Sequence, residues 1–147
     1  MKILVLSDSH HTLLDNLDFK RYDAIIHCGD YGNSLIPLKN HNVFFVRGNC
    51  DSYGEEHLLF ELYGKKIFVT HGHKEHVKYG LDHLIYRALE KNVDVTLFGH
   101  THEQVCFKEE GILFLNPGSY PNSYIEITEE EIKLYNNGTV KKVLYRW

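Results

Sequence analysis

Proline is scarce in this 147-residue chain, and its three copies, Pro37, Pro117 and Pro121, form no run, so no proline-rich linker divides it. Cysteine is as rare. Cys28, Cys50 and Cys106 are odd in number and form no C-x-x-C pair, which excludes a disulfide scaffold and a dithiol redox motif. Free thiols in a reducing compartment are the simplest expectation, and with them a cytoplasmic location. No apolar run approaches the roughly 20 residues needed to span a bilayer, and no charged-then-apolar leader precedes Ile3. Met1-Lys2 runs directly into the first apolar stretch, so the mature protein is expected to start there. A basic excess is missing too. Sixteen Lys and Arg against 20 Asp and Glu leave a net charge of -4, which argues against nucleic acid as a partner, although bound cations would reverse the field locally.

The remaining composition, 43% hydrophobic and 24% charged, is that of a folded protein rather than a disordered one. Its length suits one domain, residues 1–147, around a single core. Five clusters of metal-type ligands each follow a hydrophobic run: Asp8-Ser9-His10, Gly29-Asp30, Gly48-Asn49-Cys50-Asp51, His71-Gly72-His73 and Gly99-His100-Thr101-His102. Strands ending on one edge would bring all five to the same rim. Such a gathering implies a two-metal centre.

The first half reads as alternating strand and short helix. Strands are predicted at 3–7, 24–28 and 43–46, with a weak helix over 12–20 and a short helix or turn over 33–40. Their unbroken apolar runs suit central parallel strands covered on both faces. A hairpin follows, 58–62 to 67–70, and then the clearest helix, in which Leu81, Leu84, Ile85, Ala88 and Leu89 share one face. A strand over 93–98 ends at the last cluster. The remaining strand-like segments, 105–108, 112–115, 124–128, 132–135 and 140–145, include a hairpin turn at Asn136-Asn137-Gly138. They predict a mainly antiparallel second sheet, built from the second half and packed on the first. The expected architecture is an α/β, four-layer α/β/β/α sandwich of two mixed sheets with helices outside.

Imidazoles, carboxylates and an Asn carbonyl together suit divalent first-row metals, and one carboxylate can bridge two of them. The series D-x-H, G-D, G-N-x-D, H-G-H and G-H-T-H resembles the calcineurin-like metallophosphoesterase superfamily, and within it the small single-domain bacterial and archaeal phosphodiesterases. Asn116-Pro117-Gly118-Ser119 resembles a loop of that subgroup, which extends the likeness over nearly the whole chain.

The resemblance implies that Asp8, His10 and His102 bind one metal, that Asp30 bridges, and that Asn49, His71 and His100 complete the second. The cofactors would be two divalent ions, manganese first and nickel, iron or zinc as alternatives. A bridging water or hydroxide would attack phosphorus in line, which agrees with the absence of any Ser or Cys triad signature. Asp30, Asn49 and His71 then belong to the catalytic set, with Asp51 or His73 as the source of a proton for the leaving oxygen. Larger relatives often carry His after the metal-binding Asn. Cys50 stands there instead, and a neutral thiol is a poor general acid, so esters with good leaving groups are the expected substrates.

Other residues carry plainer readings. His27, inside an apolar strand, is a hydrogen-bonded core residue, whereas His41, His57, His76 and His83 lie at the surface. His11 and His73 neighbour ligands and are candidates to touch a substrate phosphate. Asp51 also reads as a local cap, Arg47 as a structural ion pair, and Tyr120 and Tyr124 as strand packing. The functional expectation is a phosphodiesterase acting on a small phosphodiester or nucleotide, with a homodimer or higher homo-oligomer as its expected state. Two alternatives are a non-catalytic scaffold, a role that the retromer subunit of this architecture fills, and a nuclease.

Overall fold

The computed structural model describes residues 1–14, 18–38 and 41–147, with Phe19 as backbone. Eleven strands make two sheets. In chain order they are β1 (Ile3–Leu6), β2 (Ala24–His27), β3 (Val43–Phe45), β4 (His57–Leu62), β5 (Lys65–Thr70), β6 (Val95–Leu97), β7 (Val105–Glu109), β8 (Ile112–Asn116), β9 (Ser123–Ile127), β10 (Glu131–Asn136) and β11 (Thr139–Tyr145). The first sheet runs β11-β10-β9-β1-β2-β3 and the second β4-β5-β6-β8-β7.

Both sheets are mixed. β1-β2-β3 are parallel, as the unbroken apolar runs predict, and every residue of β1 is buried. In the second sheet β5-β6-β8 are parallel and are flanked by antiparallel β4 and β7. The expectation that the second half builds the second sheet by itself does not hold. β9, β10 and β11 return to the first sheet, where Ile3 and Val5 of β1 pair with Ile127 and Ile125 of β9. The reason is burial. Ile125, Ile127, Ile132 and Leu134 alternate along β9 and β10, and this register points all four into the apolar layer between the sheets. That layer also contains Val5, Ile26, Val69, Leu97 and Leu115, each at most 2% exposed.

Three hairpins close on two-residue turns whose second member is glycine: Tyr63-Gly64, Glu110-Gly111 and Asn137-Gly138. All six residues have positive φ, the backbone of the type I′ turn that matches strand twist.

One α-helix, α1 (Asp82–Lys91), covers the outer face of the second sheet, pressing Leu84 and Ala88 onto Phe68, Phe98 and Phe114. Leu89, predicted on the buried face, is 44% exposed, because the contact with the sheet is narrower than the apolar stripe. Asn92 ends the helix in the left-handed conformation, its N–H reaching the carbonyls of Ala88 and Leu89. On the outer face of the first sheet, Leu4, Leu6 and Ile25 are covered by Leu14 and Leu38. The weak helix expected over 12–20 is there only a 3₁₀ turn at Phe19–Arg21, with 15–17 outside the described residues. That expected over 33–40 is a 3₁₀ turn at Ile36–Leu38, with 39–40 outside them. Among the described residues no helix is long and apolar enough to cross a membrane.

Candidate metal centre

β1, β2, β3, β5 and β6 end on one rim, and each is followed within four residues by a predicted ligand: Asp8, Asp30, Asn49, His71 and His100. Both sheets therefore feed one site. Backbone bonds lock the incoming loops: Asp8 N–H donates to Gly29 O (3.0 Å), His10 N–H to Asp30 O (2.9 Å) and Gly99 N–H to His71 O (3.0 Å). The sheets are stitched to each other by His100 N–H donating to Asp8 Oδ2 at 3.0 Å.

The loops are strained in a way that marks the site. Asp8, His10, Asp30, His100 and His102 all have φ between 49° and 73°, a region that non-glycine residues occupy at a cost of about 1–3 kcal/mol each. Glycines supply the close approaches. A Cβ on Gly48 would lie 2.1 Å from Asp30 Oδ1, and one on Gly99 would lie 1.9 Å from Ser7 Oγ and 2.9 Å from Asp8 Oδ2.

His71 is the centre of the constellation. Its ring is fully buried, and Nδ1–H donates to Cys28 O at 2.8 Å, which leaves Nε2 with a bare lone pair. Around Nε2 stand Asn49 Oδ1 at 3.0 Å, His100 Nδ1 at 3.1 Å, Asp30 Oδ2 at 3.3 Å and Asp8 Oδ1 at 3.8 Å. Five Lewis bases converge on a space that a single proton on Nε2 satisfies only in part. Burial lowers the pKa of His71, but Asp30 and Asp8 outweigh it and raise the pKa overall. Burial and the neighbouring His71 charge lower His100 to about 4. Burial opposes ionisation of Asp30, yet His71 and the Cys50 N–H (2.9 Å to Oδ1) pull its carboxyl well below the usual range.

A second donor group adjoins the first. Asp8, His10 and His102 bring their ligand atoms within 4.8 Å of one another, as do Asp30, His71 and His100, and a third set joins His10 and Asp30 to Cys50. His102 Nε2 stands 3.3 Å from Asp8 Oδ1, an atom that is buried and receives no hydrogen bond among the described residues. A buried carboxylate oxygen without a donor, facing imidazole lone pairs, is the environment that a divalent cation would complete.

The structure thus gathers all seven predicted ligands and reveals residues that the sequence did not single out. Ser7 Oγ–H donates to Asp8 Oδ2 at 2.6 Å. Asn116 Nδ2 reaches Gly99 O and Thr101 Oγ1, both at 3.1 Å, and Ser119 Oγ–H donates to Asp8 O at 2.9 Å, so the Asn-Pro-Gly-Ser loop braces two ligand loops. The one sequence signal for these residues was that loop itself.

Asp51 Oδ2 accepts from Asp30 N–H (2.7 Å) and Gly48 N–H (2.8 Å), and Oδ1 accepts from Gly32 N–H (3.2 Å). Its carboxylate accepts three backbone N–H bonds, one of them from Asp30, whose backbone it holds. His73 lies 5.4 Å from His71 and 6.2 Å from His100, ring to ring, with a buried Nδ1 that has no hydrogen-bond partner among the described residues. Burial and the charge of His71 lower its pKa. His11 is exposed beside Gly32, and Arg47 pairs with Glu56 at 3.3 Å.

Beneath the site His27, fully buried, forms a chain. Gly29 N–H donates to its Nδ1 (3.1 Å), so Nε2–H donates to Ser9 Oγ (2.7 Å), and Ser9 in turn contacts Ser34 Oγ (2.6 Å).

Fold and donor set together describe a two-sheet α/β metalloprotein whose ligands are shared between the sheets. Residues 1–130 match the calcineurin-like phosphoesterase superfamily domain, and the chain belongs to that family. Among its relatives, a probable metallophosphoesterase of Bacillus subtilis, YsnB, is 37% identical over 137 residues, covering 88% of this chain and 80% of the other. A phosphodiesterase of Methanocaldococcus jannaschii is 31% identical over 145 residues, covering 80% and 83%. The crystal structure of a predicted phosphoesterase from Streptococcus pneumoniae superposes with a TM-score of 0.78 at 29% identity, covering 99% and 97%. Vps29 of Entamoeba histolytica, crystallised with zinc, reaches 0.78 at 23% identity and 99% of each chain, a likeness of fold alone.

Proposed function

We propose that this protein, read as one domain, is a metal-dependent phosphodiesterase with a dinuclear centre. The observation that carries the reading is the convergence of Lewis bases on His71 Nε2 beside a second donor group at Asp8. Divalent cations held there would supply Lewis-acid polarisation of a phosphoryl oxygen and lower the pKa of a bound water toward neutrality. Manganese, or nickel, iron or zinc in its place, suits the donor set of His, Asp and Asn.

The chain's own residues do the positioning. Asp8, His10 and His102 would hold one ion, Asn49, His71 and His100 the other, and Asp30 would serve both. The Cys28 carbonyl keeps His71 Nε2 bare for its ligand, and Asp51 holds the backbone of Asp30 in place. His73 is the candidate to contact the phosphate or the departing oxygen, and its lowered pKa makes it a neutral donor there. Burial and the carboxylate of Asp30 raise the Cys50 thiol, which stays protonated and does not replace an imidazolium, so good leaving groups are favoured.

Purified protein supplied with manganese is expected to hydrolyse bis(nitrophenyl) phosphate. Asp30→Ala and Asn49→Ala should abolish turnover and leave the circular dichroism spectrum unchanged. Absence of both metal binding and turnover in the wild type would sink the reading.

The scaffold alternative rests on an apolar groove of about 540 Å³ between β3 and β4, away from the rim, where Phe44 and Leu59 are half exposed. It predicts a partner bound equally by wild type and Asp30→Ala. The substrate class is a small phosphodiester or nucleotide, the location cytoplasmic, and a homodimer compatible with the groove.

A further inference from the structure

A second cleft opens directly beside the metal rim. It has a volume of about 510 Å³, and His102 and Ser119 form the wall it shares with the centre. His102 is itself a candidate ligand and Ser119 donates to the backbone of Asp8, another, so the cleft adjoins the centre. Its far wall is Asn122, before β9, and Asn136 and Asn137, at the β10–β11 turn. Asn137 N–H donates to Asn122 O at 2.8 Å, which fixes the two loops to each other. The floor is Gln104, whose Nε2 reaches the carbonyls of Pro117 (3.3 Å), Tyr124 (3.2 Å) and Tyr135 (2.9 Å), tying the approach to β7 to β9 and β10.

The lining chemistry is selective by what it contains and what it lacks. Carboxamides and hydroxyls dominate, with one carboxylate, Glu103. Each carboxamide both donates and accepts, as does each hydroxyl of an alcohol. Among the described residues no Lys or Arg lines the cleft, so a further phosphate would meet Glu103 with no cationic side chain there to neutralise it. Among the described residues no Phe, Tyr or Trp lines it either, and the one ring there belongs to His102, a candidate metal ligand, so a nucleobase would find little to stack on.

Resting on the phosphodiesterase reading above, we propose that this cleft binds the alcohol portion of the substrate, and that this portion is an uncharged polyol such as glycerol or a sugar. The phosphate sits on the metal rim. One ester arm enters the cleft, and its hydroxyls pair with Asn122, Asn136 and Glu103.

The test separates recognition from turnover. Calorimetry on manganese-supplied protein compares glycerol phosphate, ethyl phosphate and thymidine monophosphate. In parallel, kcat/KM is compared for the glyceryl and ethyl nitrophenyl phosphodiesters, which share a leaving group. Glycerol phosphate should bind about 10-fold more tightly than ethyl phosphate, one or two net hydrogen bonds' worth, with a matching kcat/KM ratio. Asn122→Ala and Asn136→Ala should each bring both ratios toward one. Equal binding of the two products by wild type would overturn the polyol cleft whatever the turnover. Tightest binding of thymidine monophosphate would overturn it in favour of a nucleoside site. A binding preference without hydrolysis of either diester would keep the cleft and defeat the phosphodiesterase reading instead.

Discussion

Single residues at this site work by constraint on their neighbours, and His27 shows how. Burial lowers its pKa to about 3, so the folded protein keeps it neutral at pH values where the unfolded chain, at 6.5, protonates it. A base depressed in the folded state contributes stability that is complete above the unfolded value and is lost as pH falls toward the folded one. Between pH 6.5 and pH 5 the loss is roughly 2 kcal/mol, at about 1.4 kcal/mol per pH unit. Urea titrations should show that decline in wild type and a shallower one in His27→Gln, with His100 and His73 supplying what remains. Asp51 offers a second case. Asp51→Ala strips acceptors from three backbone N–H groups, and the expected result is a loss of about 1–3 kcal/mol together with weaker manganese binding. Asp51→Asn, which keeps one oxygen, should recover part of the stability in a thermal melt.

Elements decide which of these residues meet. The gathering of the candidate ligands on one rim was legible in the sequence because each metal-type cluster follows an apolar run, and a parallel strand delivers its next residues to one edge. Their neighbours were not legible. Ser7 looks like an ordinary polar residue until the register of β1 brings it against Asp8, and Asn116, though part of a recognisable loop, shows its bracing role only when the end of β8 brings it against Gly99. Topology was half legible for a similar reason. Period-two alternation in β9 and β10 reveals a buried face but not which sheet it closes on, and that choice was settled by pairing with β1. Left-handed backbone at five ligands was invisible too, since Asp and His carry no marker for it. The glycines between them are the element-scale test. Gly48→Ala would drive a methyl group into the carboxylate of Asp30, and isothermal titration should show manganese affinity reduced by about 10- to 100-fold, the range seen when the support of a metal ligand is lost.

At the scale of the whole molecule, the rim is a seam between two sheets. Asp8 and Asp30 come from the first sheet, His71 and His100 from the second, and bonds such as His71 Nδ1–H to Cys28 O and His100 N–H to Asp8 Oδ2 cross the divide. An ion held by both sheets would therefore clamp the layers whose apolar contact is the core, and its binding would couple to global unfolding. At a manganese concentration 100 times the dissociation constant, one site adds about 2.7 kcal/mol, which for a chain of this size raises the melting temperature by roughly 5–10 °C. EDTA should reverse the shift. Asp30→Ala removes the residue placed between the two donor groups and should melt at the same temperature with and without manganese. His102→Ala, whose side chain is 48% exposed at the edge of the site, should keep part of the shift. A full shift in Asp30→Ala would mean that the stabilising ion binds elsewhere, and the assignment of Asp30 as the shared ligand would fall with it.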